Sequence, residues 1–321
     1  MKVDVSKYRI RPADPEGLIL SSLKSRPSKV KVDMFARPTP ASSVLSDFID
    51  GLPEILAGRD YKRFLQKMRK ARSANKSIIF GCGAHVIKVG LTPVLVDMME
   101  NGWISALALN GAGIIHDLEI ALAGQTSEDV DSRIKDGSFG MAEETGRFIH
   151  QAVKDGAASD IGLGEAVGHL ISKSDFPHKD NSLLGAAYDL NIPVTVHVAL
   201  GTDFIHFHPE ADGRGIGQTS LRDFFLFCAL IENMDGGVYC NVGSSVILPE
   251  VFLKGVTFAR NKGCRLDDLT TAVFDFNWHY RPDQNVVRRP PGTGGEGFYF
   301  VGHHELMIPL LSAALKAEKS T

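Results

Sequence analysis

Residues 107–122, LALNGAGIIHDLEIAL, decide the fold: an apolar run, a small-residue turn at Asn110 to Gly113, then a helix-like segment that starts with His116-Asp117-Leu118-Glu119. This is a strand, a turn and a helix in succession, with polar groups at the turn. Where a buried strand hands over to a helix in an α/β protein, the turn offers free backbone N–H groups, and its glycines let a ligand approach closely. The pattern recurs at 78–99, IIFGCGAHVIKVGLTPVLVDMM, where an apolar strand runs through Gly81-Cys82-Gly83 into a helix carrying His85 and Lys88 in its first turns. Neither stretch fits G-x-G-x-x-G or the P-loop pattern, so a standard dinucleotide or triphosphate motif is not supported. Taken alone, such glycines read first as what tight turns require.

The same alternation extends in both directions. A helical pattern covers 46–72, a strand 77–81, a helix 90–101, a strand 104–109 and a helix 114–123. Residues 127–190 read as mainly helical with a break at Ser174 to Pro177, and short β-rich runs return at Val194 to Val198, Gly237 to Val242 and Thr271 to Phe274. Helices are expected at 220–233, 249–262 and from 304 to the C-terminus. Alternation of this kind predicts a Rossmann-like α/β fold, a mostly parallel sheet of about six or more strands with helices on both faces. Residues 1–45, rich in Pro, Ser and Lys, read as an irregular arm with one short strand around Val30 to Val32, and 46–321 as a single domain. The segment 289–297, RPPGTGGEG, is a loop inside that domain.

Composition narrows the class. A chain of 321 residues with 44% hydrophobic content can bury a large core, and its charge is mixed throughout. The net charge of -3 and the lack of a long Lys/Arg block argue against a nucleic-acid surface, which needs a concentrated basic face. The basic cluster Lys62 to Arg72 is interrupted by Phe64, Leu65 and Met68 at helical spacing, the pattern of an amphipathic helix with a solvated side. Cys82, Cys228, Cys240 and Cys264 form no C-x-x-C pair and read as reduced thiols. No apolar run approaches the roughly 20 residues of a membrane span, and the first residues carry no signal-peptide pattern, so a cytoplasmic protein is expected.

Chemistry-bearing groups gather at the C-terminal ends of the expected strands, where open α/β sheets bind ligands. They include His85 and Lys88, Asn110, His116 and Asp117, then His197, Thr202, Asp203, His206 and His208, then Ser244 and Ser245, Asp275 and His279, and His303 and His304. On a strand, His206 and His208 would face one side as two metal ligands must, with Asp203 or Glu210 to complete a set. No spacing such as H-E-x-x-H fixes a metal, and histidine serves equally as an acid, base or hydrogen-bonding group, so none is assigned.

The order of these motifs resembles the deoxyhypusine synthase family over most of residues 45–315. IFGCGAHVIKVGL and ISALALNGAGIIHDLEIAL are similar to that family's first two strand-turn-helix elements, including the glycines and the Asp117-Leu118 pair. NIPVTVHVALGTDFIHFHPEADG resembles its Ile-Pro-Val strand and Thr-Asp-Gly turn with the catalytic histidine. TTAVFDFNWHYRPDQNV resembles its cofactor-contacting strand, and GFYFVGHHELMIPLLSAAL its last strand and Pro-containing helix. Each motif is common alone; their order is specific. The resemblance implies NAD, a homotetramer built from dimers, and a reaction in which spermidine is oxidised and its aminobutyl group carried as a lysine imine to a lysine of a translation factor.

The departures bear on function. The family's imine-forming lysine lies in a Gly-Gly-Gly-Val-Val-Lys-His-His segment; the matching NVGSSVILPEVF puts Leu248 there, and an alkyl side chain cannot form a Schiff base. Lys254 and Lys262 lie farther along. His85 and Lys88 replace an asparagine and a serine, and His116 replaces an acidic residue, changes that favour an anionic ligand. The expectation is an NAD- or nucleotide-binding enzyme that oxidises a small substrate or transfers a group from it without a lysine imine. The alternatives are an aminobutyl transferase with a relocated lysine and a non-catalytic ligand-binding protein. The expected catalytic residues are His206 or His208 as general base or acid, with Asp203 and His116. The expected cofactor contacts are Gly83, His85, Lys88, Asn110, Gly111, Gly113, Asp117, Thr202, Ser244, Ser245 and Asp275.

Overall fold

A computed structural model describes Lys7 and residues 13–317. Six short strands, β1 (Ile78–Cys82), β2 (Ala106–Asn110), β3 (Val194–His197), β4 (Val238–Val242), β5 (Thr270–Asp275) and β6 (Glu296–Val301), form one sheet in the order β3-β2-β1-β4-β5-β6. Every pairing is parallel. The order reverses between β1 and β4, which makes the C-terminal edge of those strands the topological switch point.

The segment read as one helix over 46–72 is two, α1 (Leu45–Gly51) and α2 (Leu56–Ser73), because Pro53 lacks the N–H that would continue the first. The helix expected from 90 is preceded by a separate turn, α3 (His85–Lys88), which Gly90 at φ +76° divides from α4 (Thr92–Glu100). α5 (Gly111–Ala123) starts directly at the end of β2, so the expected small-residue turn is its first turn. There follow α6 (Val130–Arg133), α7 (Glu143–Ser159), α8 (Leu163–Lys173), α9 (Leu183–Asp189), α10 (Gly213–Glu232) and α11 (Ile247–Asn261). The short α12 (Tyr280–Pro282) runs into a π-helical turn at Asp283–Arg288, and α13 (His304–Lys316) ends the described chain. Val32–Met34 is a 3₁₀ turn rather than the strand expected there.

Strand periodicity divides the core between the two faces. Phe80 and Cys82, Cys240 and Val242, and Ala272 and Phe274 face one cluster, which α2, α4, α5, α7, α8, α9 and α13 cover. Ile79, Tyr239 and Val273 face the other, closed by Phe227 of α10 and by Leu248, Phe252 and Val256 of α11. Tyr239 stacks on Phe252 at 3.7 Å between ring centroids. The space for its hydroxyl exists because residue 81 is glycine: a Cβ there would stand 2.2 Å from that oxygen. Among the described residues no helix is long and apolar enough to cross a membrane.

Candidate functional site

A cavity of about 750 Å³ opens at the C-terminal end of β2. Its floor is one face of α5: Ala112, Ile115, His116, Glu119 and Leu122 recur at helical spacing, while Ile114, Leu118 and Ala121 turn into the core. Lys88 comes from α3, Thr145 from α7, and Thr202 to Phe204 from the connection after β3; the 125–130 segment closes the far side.

At the mouth of α5 the backbone is poised for a ligand. Asn110 is the N-cap but makes no capping hydrogen bond, and its Oδ1 is buried without a partner. The N–H groups of the first turn of a 13-residue helix therefore carry their partial positive charge uncapped by a side chain. Gly111 allows Asp203 to lie against that turn: a Cβ at 111 would meet Asp203 Oδ2 at 2.3 Å. Burial pushes the Asp203 carboxyl above the usual carboxylate range, against the pull of His206, Thr202 and His116.

Deeper in, His116 Nδ1 lies 2.7 Å from Thr126 Oγ1, and the Thr126 hydroxyl donates to Glu119 Oε2. Thr145 donates to the other Glu119 oxygen at 3.3 Å. Burial works to raise the Glu119 carboxyl, but the nearby His116 ring and the hydrogen bonds from Thr126 and Thr145 prevail and hold it below its ordinary value.

Electrostatically the lining corrects one expectation. Glu119, Glu128, Glu144 and Asp203 face Lys88 and His116, so carboxylates outnumber cations and a preference for anions does not follow. Glu128 and Glu144 arrive from the 125–145 segment, away from the strand ends. Glu128 is engaged with the Gly140 N–H at 2.8 Å and with Arg133 at 3.6 Å.

Other expected site residues stand elsewhere. Asp117 is fully buried and spends both oxygens on the start of α9, accepting from Leu183 N–H at 2.7 Å and Leu184 N–H at 3.0 Å, so it orients a helix and not a ligand. His206 accepts the Gly201 and Asp203 N–H groups at Nδ1, and its Nε2 is buried without a partner. His208 stacks on His150 at 5.6 Å and accepts the Glu210 N–H. Neither lines the cavity, so the assignment of a general base to His206 or His208 does not follow from where they lie. The pairing of His206 and His208 as metal ligands needs a strand, but Phe204–Phe207 is a 3₁₀ turn.

A second cluster occupies the switch point. Gly83 is packed so closely on β4 that a Cβ would stand 2.1 Å from the Gly243 carbonyl oxygen. His85 lies 5.5 Å from His304 and 5.8 Å from Phe276 between ring centroids. Ser244 accepts the Leu248 N–H at 3.2 Å, Ser245 follows it at partial exposure, and Asp275 is buried with the Asn277 N–H at 3.3 Å. Leu248 itself, in the first turn of α11, is buried in the core. Lys254 and Lys262 are exposed on that helix and its end, paired with Glu250 and Glu232. Among the described residues no cluster of three His, Cys, Asp or Glu could hold a metal ion.

Sequence reasoning missed Glu119, Thr126, Thr145, Glu128 and Glu144. Glu119 was within reach, since it follows His116 by three on one helical face. The threonines approach across loops and left no signal.

No protein-family profile matches the chain, and nothing among curated proteins does. Solved structures do. A protein assigned as a deoxyhypusine synthase from Entamoeba histolytica is 12% identical, with a TM-score of 0.50 over 86% of this chain and 94% of that one. A conserved protein of the LOR/SDH type from Methanococcus maripaludis S2 is 16% identical, with a TM-score of 0.50 over 86% of this chain and 71% of the other. AgrE, in a ternary complex with ornithine and NAD+, is 16% identical, with a TM-score of 0.50 over 82% of this chain. The chain spans 33% of the length of AgrE and 33% of that of the arginine dihydrolase ArgZ. These likenesses establish a Rossmann-like α/β fold.

Proposed function

We propose that the chain is a nucleotide-binding enzyme, with NAD as the cofactor, that oxidises a small substrate or transfers a group from it in the α5 cavity without a lysine imine. The observation that carries this is the uncapped first turn of α5, with Asp203 seated on Gly111 and Asn110 Oδ1 buried without a partner beside it. These residues suit a nucleotide. Backbone N–H groups of Gly111 to Gly113 would take phosphate oxygens, Lys88 would add a positive charge, and a carboxylate in the place of Asp203 accepts ribose hydroxyls. Bound there, NAD would supply a hydride acceptor. The acidic remainder of the cavity would hold hydroxyl or amino groups of the substrate.

A second reading, an aminobutyl transferase with a relocated lysine, rests on Lys88. It lines the cavity and makes no ion pair among the described residues, unlike Lys254 and Lys262. Calorimetric titration with NAD+ tests the first reading, which expects saturable binding lost on Asp203→Ala. Borohydride reduction with spermidine and NAD+ tests the second. No adduct is expected, and an aminobutyl group on Lys88 would reverse the order of the two.

A further inference from the structure

The side chains on the cavity floor carry a more specific chemistry, which rests on the reading of this cavity as the reaction site. Thr126 has a single hydroxyl proton, and the hydroxyl donates it to Glu119 Oε2. An ionised carboxylate has nothing to give back, and the Thr126 and Thr145 hydroxyls donating to its two oxygens favour that form. The Thr126 oxygen is thus an acceptor toward His116, 2.7 Å from Nδ1, so Nδ1 carries the proton of the neutral ring. Only Nε2 is left with a lone pair. Nε2 is neither hydrogen-bonded nor among the buried unpartnered atoms, and His116 lines the cavity, so this lone pair is open to it.

We propose that His116 Nε2 is the general base of this site, its tautomer fixed by Thr126 and its charged form balanced by Glu119. In the step, an O–H or N–H bond of the substrate breaks and leaves its electron pair on the heteroatom, while the proton forms a new bond to Nε2. The Nδ1 proton stays between His116 and Thr126, the Thr126 proton stays on its own oxygen, and Glu119 stays ionised 3.7 Å from Nδ1. Nothing but the proton moves, and it leaves to water when the ring is reset. Lys88, Glu128, Glu144 and Asp203 are the other charged groups lining the cavity, Asp203 close enough to feel His116. Thr126 and Glu119 are positioning residues, since they act through His116.

The tautomer tests this without a substrate. Long-range proton–nitrogen correlation on histidine-labelled protein at mildly alkaline pH, with the His116 signals identified by their loss in His116→Gln, is expected to show the Nδ1–H form. Thr126→Ser keeps the hydroxyl and should keep that form. Thr126→Val should lose it in favour of Nε2–H, with near-ultraviolet circular dichroism unchanged. An Nε2–H ring in the native protein, or an unaltered ring in Thr126→Val, overturns the proposal; were the valine variant unfolded, the native and serine proteins still decide it. NAD+ calorimetry on the same samples separates the two readings. A ring in the Nδ1–H form with no NAD+ binding counts against the nucleotide alone, and NAD+ binding with an Nε2–H ring against the relay alone.

Discussion

Replacing Leu248 by lysine puts an amine where the resemblance would have one, and the structure predicts damage instead of activity. Leu248 is fully buried on the face of the sheet packed by Tyr239 and Phe252. Removing a buried leucine side chain forfeits about 2–3 kcal/mol of apolar burial. The ammonium adds more, because fully buried lysines have their pKa depressed by about 3–5 units. At pH 7 a folded pKa below 7, against roughly 10.4 in the unfolded chain, costs on the order of 4–5 kcal/mol at about 1.4 kcal/mol per unit. Together these approach the whole stability of an ordinary domain, roughly 5–15 kcal/mol. The sign follows from proton counting. Between the folded and unfolded pKa values the unfolded state binds more protons, so the variant should gain stability as pH rises toward about 10. Urea unfolding of Leu248→Lys and the native protein at neutral and alkaline pH measures both effects. A variant as stable as the native protein at pH 7, or one that forms a reducible adduct with spermidine and NAD+, would refute the placement of residue 248 in the core.

Three further outcomes are expected. Asp223, which accepts the Gly164 and Val196 N–H groups at 2.9 and 2.8 Å, has its carboxyl pushed by burial from 3.8 up to about 7, the hydrogen bonds opposing. That raised value contributes stability present in full below pH 3.8 and lost as pH rises through about 7, so Asp223→Asn should flatten the fall in melting temperature over this window; an unchanged profile would count against it. Gly111→Ala brings a Cβ within 2.3 Å of Asp203 Oδ2, a carboxylate that can swing aside. Stability should change by no more than about 1 kcal/mol, with NAD+ affinity falling at least about tenfold, or about 1.4 kcal/mol, and calorimetry showing native affinity would dissociate Asp203 from the site. Light scattering at micromolar concentration should give a tetramer, as the family resemblance implies, and a monomer would remove that expectation.

Much of the fold was legible because parallel strands buried on both faces are short apolar runs, and the runs at 78–82, 106–110 and 270–275 needed only their glycine and polar borders to be placed. Helix ends were less so. Pro53 broke a periodic pattern that hydrophobicity carried straight through, and α5 absorbed a turn whose glycines looked like a loop. In the site, His116 and Asp117 are neighbours in sequence, yet about 100° of helical rotation sends one to the cavity and the other into the core to hold α9. His206 and His208 do not share a face as metal ligands would need, since Phe204–Phe207 is a 3₁₀ turn, which does not alternate faces as a strand does. Thr126 meets His116 across the end of α5, and Thr145 reaches Glu119 from 26 positions away; only the packing of α5 against α7 brings them together.

A nucleotide bound at the first turn of α5 would cover its amides. Amide hydrogen exchange with and without NAD+ tests it residue by residue. Protection should appear at Gly111, Ala112 and Gly113 and in the Thr202–Phe204 segment that carries Asp203. Protection confined to Gly83, Gly243 and the neighbouring switch-point residues, with the α5 amides unchanged, would contradict it.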